Sequence, residues 1–208
     1  MHRFSCTELL LGPHALSRIQ AANVAVFGLG AVGSYAVEAL ARAGIGSMRL
    51  VDFDTVRLSN INRQLYALDT TLDRPKIDIA IERVRAINPE CRIDARAEFV
   101  DGKTVGGLLS PRVDFVVDAI DSLSSKVILI RSTLETGIPL ISSMGAAARL
   151  DPLAIRIGDI SETYNCPLAK LIRKRLHRVG VRSGFRCVYS EEPTRTPAVA
   201  VKIGRAHV

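Results

Sequence analysis

No two cysteines of this chain stand in the C-x-x-C spacing that a zinc site or a redox pair would show; Cys6, Cys91, Cys166 and Cys187 are scattered. Neither zinc nor a disulfide framework is expected, and the thiols are read as reduced and mostly buried. Also missing is any apolar run near the roughly 18 residues that a membrane-spanning helix needs, and Met1 to Leu11 carries too short an apolar stretch for a secretory signal. A cytoplasmic location is the expectation. There is no internal repeat and no low-complexity linker, and His2, His14 and His177 stand in no partner pattern, which reads them as surface residues.

Acidic residues are absent between Thr163 and Ser190, where Lys170, Arg173, Lys174, Arg175, Arg178, Arg182 and Arg186 supply seven positive charges. That one stretch matches the whole net charge of +7. Clustered Lys and Arg fit a polyanion, because they displace counterions from a phosphate backbone. A solvated helix face, or part of a dimer surface, is the plainer reading.

What is present suits one α/β domain: 208 residues, 48% of them hydrophobic, are enough for a sizeable core. Asn23 to Phe27 reads as a buried strand running into a glycine loop, Gly28-Leu29-Gly30-Ala31-Val32-Gly33. A helix is predicted from Ala31 to about Ala43, stopped by Gly44 and Gly46, and then a strand from Ser47 to Asp52. Together they make a βαβ unit. Further on, Pro75 opens a helix to about Asn88, Cys91 to Ala97 alternates as a strand, and Val113 to Asp118 is an apolar strand of the buried parallel type. Asp121 opens a helix that ends at Gly137, and Pro139 to Ser143 is the next strand. Ala154 to Ile160 reads as a strand at an edge or antiparallel. Pro167 starts an amphipathic helix with Leu168, Leu171, Ile172, Leu176 and Val179 on one face and basic residues largely on the other. The predicted fold is a Rossmann-like, doubly wound, mostly parallel sheet with an antiparallel extension and a C-terminal basic helix.

The glycine loop lets backbone N–H groups and a helix N-terminus approach a phosphate. By itself it decides little: Gly28, Gly30, Gly33 and the carboxylate of Asp52 would hold NAD equally well, and glycines are also kept for tight packing. The stretch from Val51 to Gln64 discriminates. Asn60, Asn62, Arg63 and Gln64 follow the ribose carboxylate, and Lys76 stands at a helix start; a triphosphate needs such cations for its β- and γ-phosphates, a nicotinamide does not. Asp118 and Asp121 lie at a strand's carboxyl end, where either could hold Mg2+ against the phosphates or serve only as a cap or strand-end group.

These residues carry a resemblance. Gly28 to Gly33, Asp52-Phe53-Asp54, Ser59 to Gln64, Lys76 and Asp118 to Ser122 resemble the adenylation domain of the ubiquitin-activating, E1-like superfamily, over Arg3 to Glu192. Arg3-Phe4-Ser5, Thr7 to Gly12, Ser142 to Ala146, Leu150-Asp151-Pro152, Asp159-Ile160, Cys166-Pro167-Leu168-Ala169 and Val188-Tyr189-Ser190 are similar to the tRNA threonylcarbamoyladenosine dehydratase family within it. That family uses ATP to cyclise a threonylcarbamoyl group on an adenosine of the anticodon loop.

The resemblance implies ATP and Mg2+ as cofactors, tRNA as partner and a homodimer. Gly28, Gly30, Ala31 and Gly33 would cradle the nucleotide and Asp52 the ribose, with Asp54, Ser59, Asn60, Arg63, Lys76, Asp121 and Ser122 completing the site. Arg63, Lys76 and Asp121 would carry the chemistry, Asp121 as the Mg2+ ligand. Lys170, Arg173, Lys174 and Arg178 would meet tRNA.

Three departures stand out. Cys6 occupies the position where relatives often carry an arginine that reaches across a dimer, so that either Arg3 takes the job or activity is reduced; Ala31 stands where glycine is usual; and the family continues past the end of this chain with an apolar segment that can associate with membrane. The last six residues, Ile203-Gly204-Arg205-Ala206-His207-Val208, match a translated sequencing adapter and are read as non-native, so the expected domain is 1–202, C-terminally truncated. The nearest alternative is an adenylyltransferase that activates a ubiquitin-like sulfur carrier, although such enzymes commonly hold zinc through two C-x-x-C pairs. An NAD-dependent dehydrogenase or an inactive binding module are the remaining ones.

Overall fold

The computed structural model describes residues 2–195; the expected non-native stretch at 203–208, His207 included, lies outside them. Seven strands form one sheet. β1 (Asn23–Phe27), β2 (Ser47–Val51), β3 (Arg92–Arg96), β4 (Phe115–Asp118), β5 (Leu140–Ser143) and β7 (Arg186–Ser190) are parallel, and β6 (Ile155–Asp159) runs antiparallel to β7 at the edge. Across the sheet the order is β3-β2-β1-β4-β5-β7-β6. The central strands are buried on both faces, which is why they read as continuous apolar runs.

Strand order reverses between β1 and β4, where Phe27 pairs with Asp118. The chain leaves β1 toward one side and β4 toward the other, and the crevice between their carboxyl ends is where open α/β sheets bind ligands.

Alternate residues of the central strands feed two separate cores. Val24, Val26, Met48 and Leu50 pack with α3 (Gly33–Ala43) and α4 (Lys76–Ile87); Ala25, Phe27, Val116 and Cys187 pack with α6 (Leu123–Glu135) and α7 (Pro167–His177). A left-handed Gly44 ends α3, as expected for a C-terminal glycine.

Three elements have no sequence signal. α1 (Ser5–Leu11) buries none of its residues and α2 (Pro13–Ala21) buries only Leu16, so neither shows an apolar stripe; α5 (Val105–Leu108) is a single turn. β7 is also not anticipated, since its polar Arg186 and Ser190 flank a core of three residues. The expected apolar face of α7 needs correction: Leu171 and Val179 are 47% and 49% exposed, because the buried face is Ala169, Ile172 and Leu176.

Candidate active site

The turn after β1 is shaped by packing at two of its glycines and by nothing visible at the third. Gly28 has φ +85° and its N–H donates to the Val51 carbonyl at 2.8 Å; a Cβ there would sit 2.8 Å from the Ala119 carbonyl oxygen. On Gly33 a Cβ would fall 1.7 Å from the Gly28 carbonyl oxygen. Neither position tolerates a side chain. At Gly30, by contrast, a Cβ would meet only the Gln64 amide nitrogen, at 3.6 Å, an ordinary contact. Ala31 follows in the same turn, half-buried, with its backbone N–H retained.

Asp52 closes the turn from the end of β2. Its Oδ2 accepts the Leu29 N–H at 2.6 Å and its Oδ1 accepts the Asp54 N–H at 2.8 Å. Burial pushes the Asp52 carboxyl above its ordinary value, against the pull of the Lys76 charge and the two N–H donors. Its burial beside the turn fits a carboxylate held for hydroxyl donors.

Lys76 begins α4, is 5% exposed, and places Nζ 2.9 Å from Oδ2 of the exposed Asp54. Its N–H donates to the Asp54 carbonyl at 3.0 Å, which fixes the pair. An incoming phosphate could take the place of Asp54 with little motion of the lysine. On the intervening segment, Asn60 caps a 3-10 turn (Leu58–Asn60) by accepting the Arg57 N–H through Oδ1 at 3.1 Å. Arg63 is exposed and donates from Nη1 to the Ser59 carbonyl at 2.7 Å and to Asn62 Oδ1 at 3.0 Å. Gln64 is buried, 8% exposed, with its amide nitrogen beside Gly30, and its Oε1 has no partner among the described residues.

The two aspartates after β4 separate cleanly. Asp118 is 0% exposed and paired with the equally buried Lys126, Nζ to Oδ2 at 2.9 Å, while Ser142 Oγ donates to the same oxygen at 2.6 Å. It faces inward, so of the two candidates Asp121 alone is on the surface, with no hydrogen-bond partner among the described residues. Ser122 follows as the residue before α6, and its side chain caps no N–H. Sequence reasoning misses Lys126 and Ser142, because a lysine in an amphipathic helix looks like a solvated one.

Lys170 and Lys174 on α7 and Arg178 just past its end follow one another at four-residue spacing and form an exposed stripe. Arg173 does not belong to it. Its guanidinium is half-buried and donates to the Thr163 carbonyl at 2.7 Å and to the Thr163 hydroxyl, holding the 3-10 turn Ile160–Glu162. Arg175 also leaves the stripe, reaching across the surface to Ser124 Oγ on α6 at 3.0 Å. The N-terminal end of α7 reaches the carboxyl side of β5, where Leu168 packs on Gly145.

Cys91, Cys166 and Cys187 are buried and Cys6 is exposed; burial pushes the Cys187 thiol up to about 12, so it is no nucleophile. Arg3 donates to the Ile87 carbonyl at 3.2 Å, away from the glycine turn of its own chain. No helix among the described residues is long and apolar enough to cross a membrane.

A glycine turn at the switch point, a buried carboxylate closing it, and the cations Arg63 and Lys76 that follow in the chain are the features of a nucleotide-binding α/β domain. The chain belongs to the ThiF family, whose model matches residues 6–204. It is 43% identical over 192 residues to a tRNA threonylcarbamoyladenosine dehydratase of Bacillus subtilis, covering 92% of this chain and 76% of the relative. The crystal structure of the Escherichia coli tRNA N6-threonylcarbamoyladenosine dehydratase, TcdA, in complex with ATP superposes with a TM-score of 0.91 at 40% identity, covering 94% of this chain and 83% of that one. A molybdopterin-synthase adenylyltransferase of Haemophilus influenzae is 35% identical, over only 64% of this chain and 54% of its own length.

Proposed function

We propose that the protein is an ATP-dependent tRNA threonylcarbamoyladenosine dehydratase. The observation that carries this reading is likeness to such dehydratases along nearly the whole chain, in sequence and in fold, whereas likeness to a carrier-protein adenylyltransferase covers under two thirds of it.

ATP lies over the turn from Gly28 to Gly33, with N–H groups including that of Ala31 toward its phosphates and the lack of a side chain at Gly30 letting the backbone approach closely. Asp52 accepts hydrogen bonds from the ribose. Asn60, Arg63 and Lys76 hold the phosphates, Lys76 exchanging its Asp54 partner for phosphate oxygen, and Ser59 and Ser122 line the rim. Arg63 leaves its resting bond to the Ser59 carbonyl for the triphosphate.

The donor set also fits Mg2+, which commonly takes one or two protein carboxylates together with substrate phosphates and water. Asp121, exposed and unpartnered among the described residues, is that carboxylate. When bound, the ion neutralises phosphate charge.

The carboxylate oxygen of the threonylcarbamoyl group attacks the α-phosphorus, the α–β bridging bond breaks, and pyrophosphate leaves with its charge stabilised by Arg63 and Lys76. A carbamoyl oxygen or nitrogen of the same group then attacks the acyl carbon, and AMP leaves carrying the former carboxylate oxygen. No enzyme nucleophile is needed, since acceptor and acyl group belong to one substrate and positioning supplies the rate. Lys170, Lys174 and Arg178 carry the tRNA backbone toward this edge of the sheet.

The adenylation domain is residues 1–202, acts in the cytoplasm and works as a homodimer. Ile155 and Ile157, exposed on one face of the edge strand β6, support the dimer. The test is incubation of purified protein with ATP and threonylcarbamoylated tRNA, followed by mass analysis of the nucleosides. The modified adenosine loses one water with one AMP released; no loss in the presence of ATP overturns the reading.

A further inference from the structure

We infer that Lys126 is a positioning residue of the nucleotide site, acting through the loop that joins β4 to α6. The inference rests on the nucleotide-site reading above. Lys126 and Asp118 are both fully buried, 0% exposed, and their pairing is more than a salt bridge. From Nζ, Lys126 also donates to the Ile120 carbonyl at 2.8 Å, while Asp118 Oδ1 accepts the Ile120 N–H at 3.1 Å. Both polar groups of Ile120 are thus held from beneath by one ion pair. Ser142, on the neighbouring strand β5, secures the pair by donating to Asp118 at 2.6 Å.

The held segment faces the site on two sides. Ala119 is the floor of the glycine turn: its N–H donates to the Phe27 carbonyl at 2.8 Å and its carbonyl oxygen lies 2.8 Å from where a Cβ on Gly28 would be. One residue past Ile120 stands Asp121, the exposed carboxylate. If Ile120 shifts, the floor of the turn and that carboxylate shift together. A buried ion pair is weak evidence for stability, since apolar residues of similar size commonly replace one without loss, so its retention at this point asks for another reason. Fixing a loop whose part-buried Ile120 carbonyl would otherwise lose this donor supplies one.

The test compares wild type with Lys126→Met and with the double variant Asp118→Asn/Lys126→Met. The single variant strands a buried carboxylate and melts at a lower temperature. The double variant has no stranded charge. Its asparagine side chain can still accept the Ile120 N–H, but its methionine side chain cannot donate to the Ile120 carbonyl. Its melting temperature returns toward wild type, yet the Ala119 and Ile120 amides exchange at least about tenfold faster, and ATP binding in calorimetry weakens at least about tenfold, while tRNA affinity is unchanged. A general structural defect would move both affinities. A double variant with wild-type melting, wild-type exchange and wild-type ATP affinity overturns the inference. Wild-type exchange decides even where the variants fail to fold: protection of Ala119 and Ile120 should match that of Val24 to Phe27, and exchange as fast as in the exposed Ala146–Ala148 segment refutes it. Should wild type itself bind no ATP, the function proposed above fails, while the exchange arm still judges the loop.

Discussion

Gly33 and Gly30 look equivalent in the motif and are opposite in the molecule. Gly33→Ala forces its methyl into the Gly28 carbonyl and should lose about 3 kcal/mol of stability by overpacking. Gly30→Ala meets nothing closer than 3.6 Å and should melt like wild type, yet weaken ATP by about tenfold, roughly 1.4 kcal/mol, because its methyl enters the space left for phosphate. Calorimetry with both variants checks this; unchanged ATP affinity in Gly30→Ala would mean the turn is built for packing alone. A second residue-scale prediction concerns acid. Burial would raise the Asp94 carboxyl, but Arg96 and the buried Arg49 bond to it and hold it below its ordinary value. A carboxyl lowered by folding stabilises the protein above its unfolded value, about pH 4, and that contribution disappears as pH falls through the folded value. Asp94→Asn should therefore lower the melting temperature at pH 7 and converge on wild type in acid, with a gap that stays constant over pH counting against the pairing.

Among the elements, α7 leaves Lys170 and Lys174 in solvent and ties Arg173 to Thr163, and the two sets should answer differently to mutation. Neutralising Lys170, Lys174 and Arg178 should weaken tRNA binding and flatten its salt dependence by roughly one unit of slope for each phosphate that is no longer met, with melting unchanged. Arg173→Ala should instead cost about 1–3 kcal/mol by leaving the Thr163 carbonyl without its donor, while the Thr163 hydroxyl keeps its bond to the Ile160 carbonyl, with little change in salt slope. Filter binding across a salt series separates the two. The sequence makes the existence of α7 legible, through Pro167 and its apolar spacing, but not the inward turn of Arg173, since arginine at a boundary position satisfies either pattern. The same contrast runs through the fold. β1 and β4 are legible because burial on both faces demands apolar runs, β2 despite the buried Arg49 at its centre, and the site loop because glycine and charged residues cluster in order. α1 and α2 leave no stripe because they bury almost nothing, and the Asp118–Lys126 pair is invisible because nothing in a helix sequence says that a lysine points into the core.

For the whole molecule, the exposed Ile155 and Ile157 on an edge strand are an unusual surface for a protein that works alone. Sedimentation should give a dimer, and Ile155→Asp/Ile157→Asp a monomer; a wild-type monomer at micromolar concentration excludes the homodimer. The chemistry proposed for the domain is activation of a carboxylate at the α-phosphorus of ATP. Threonylcarbamoylated tRNA carrying heavy oxygen in the carboxylate tests it in a single turnover. The label should appear in AMP, one atom per product formed. Label found in water or in pyrophosphate instead, with AMP unlabelled, would contradict the adenylation mechanism.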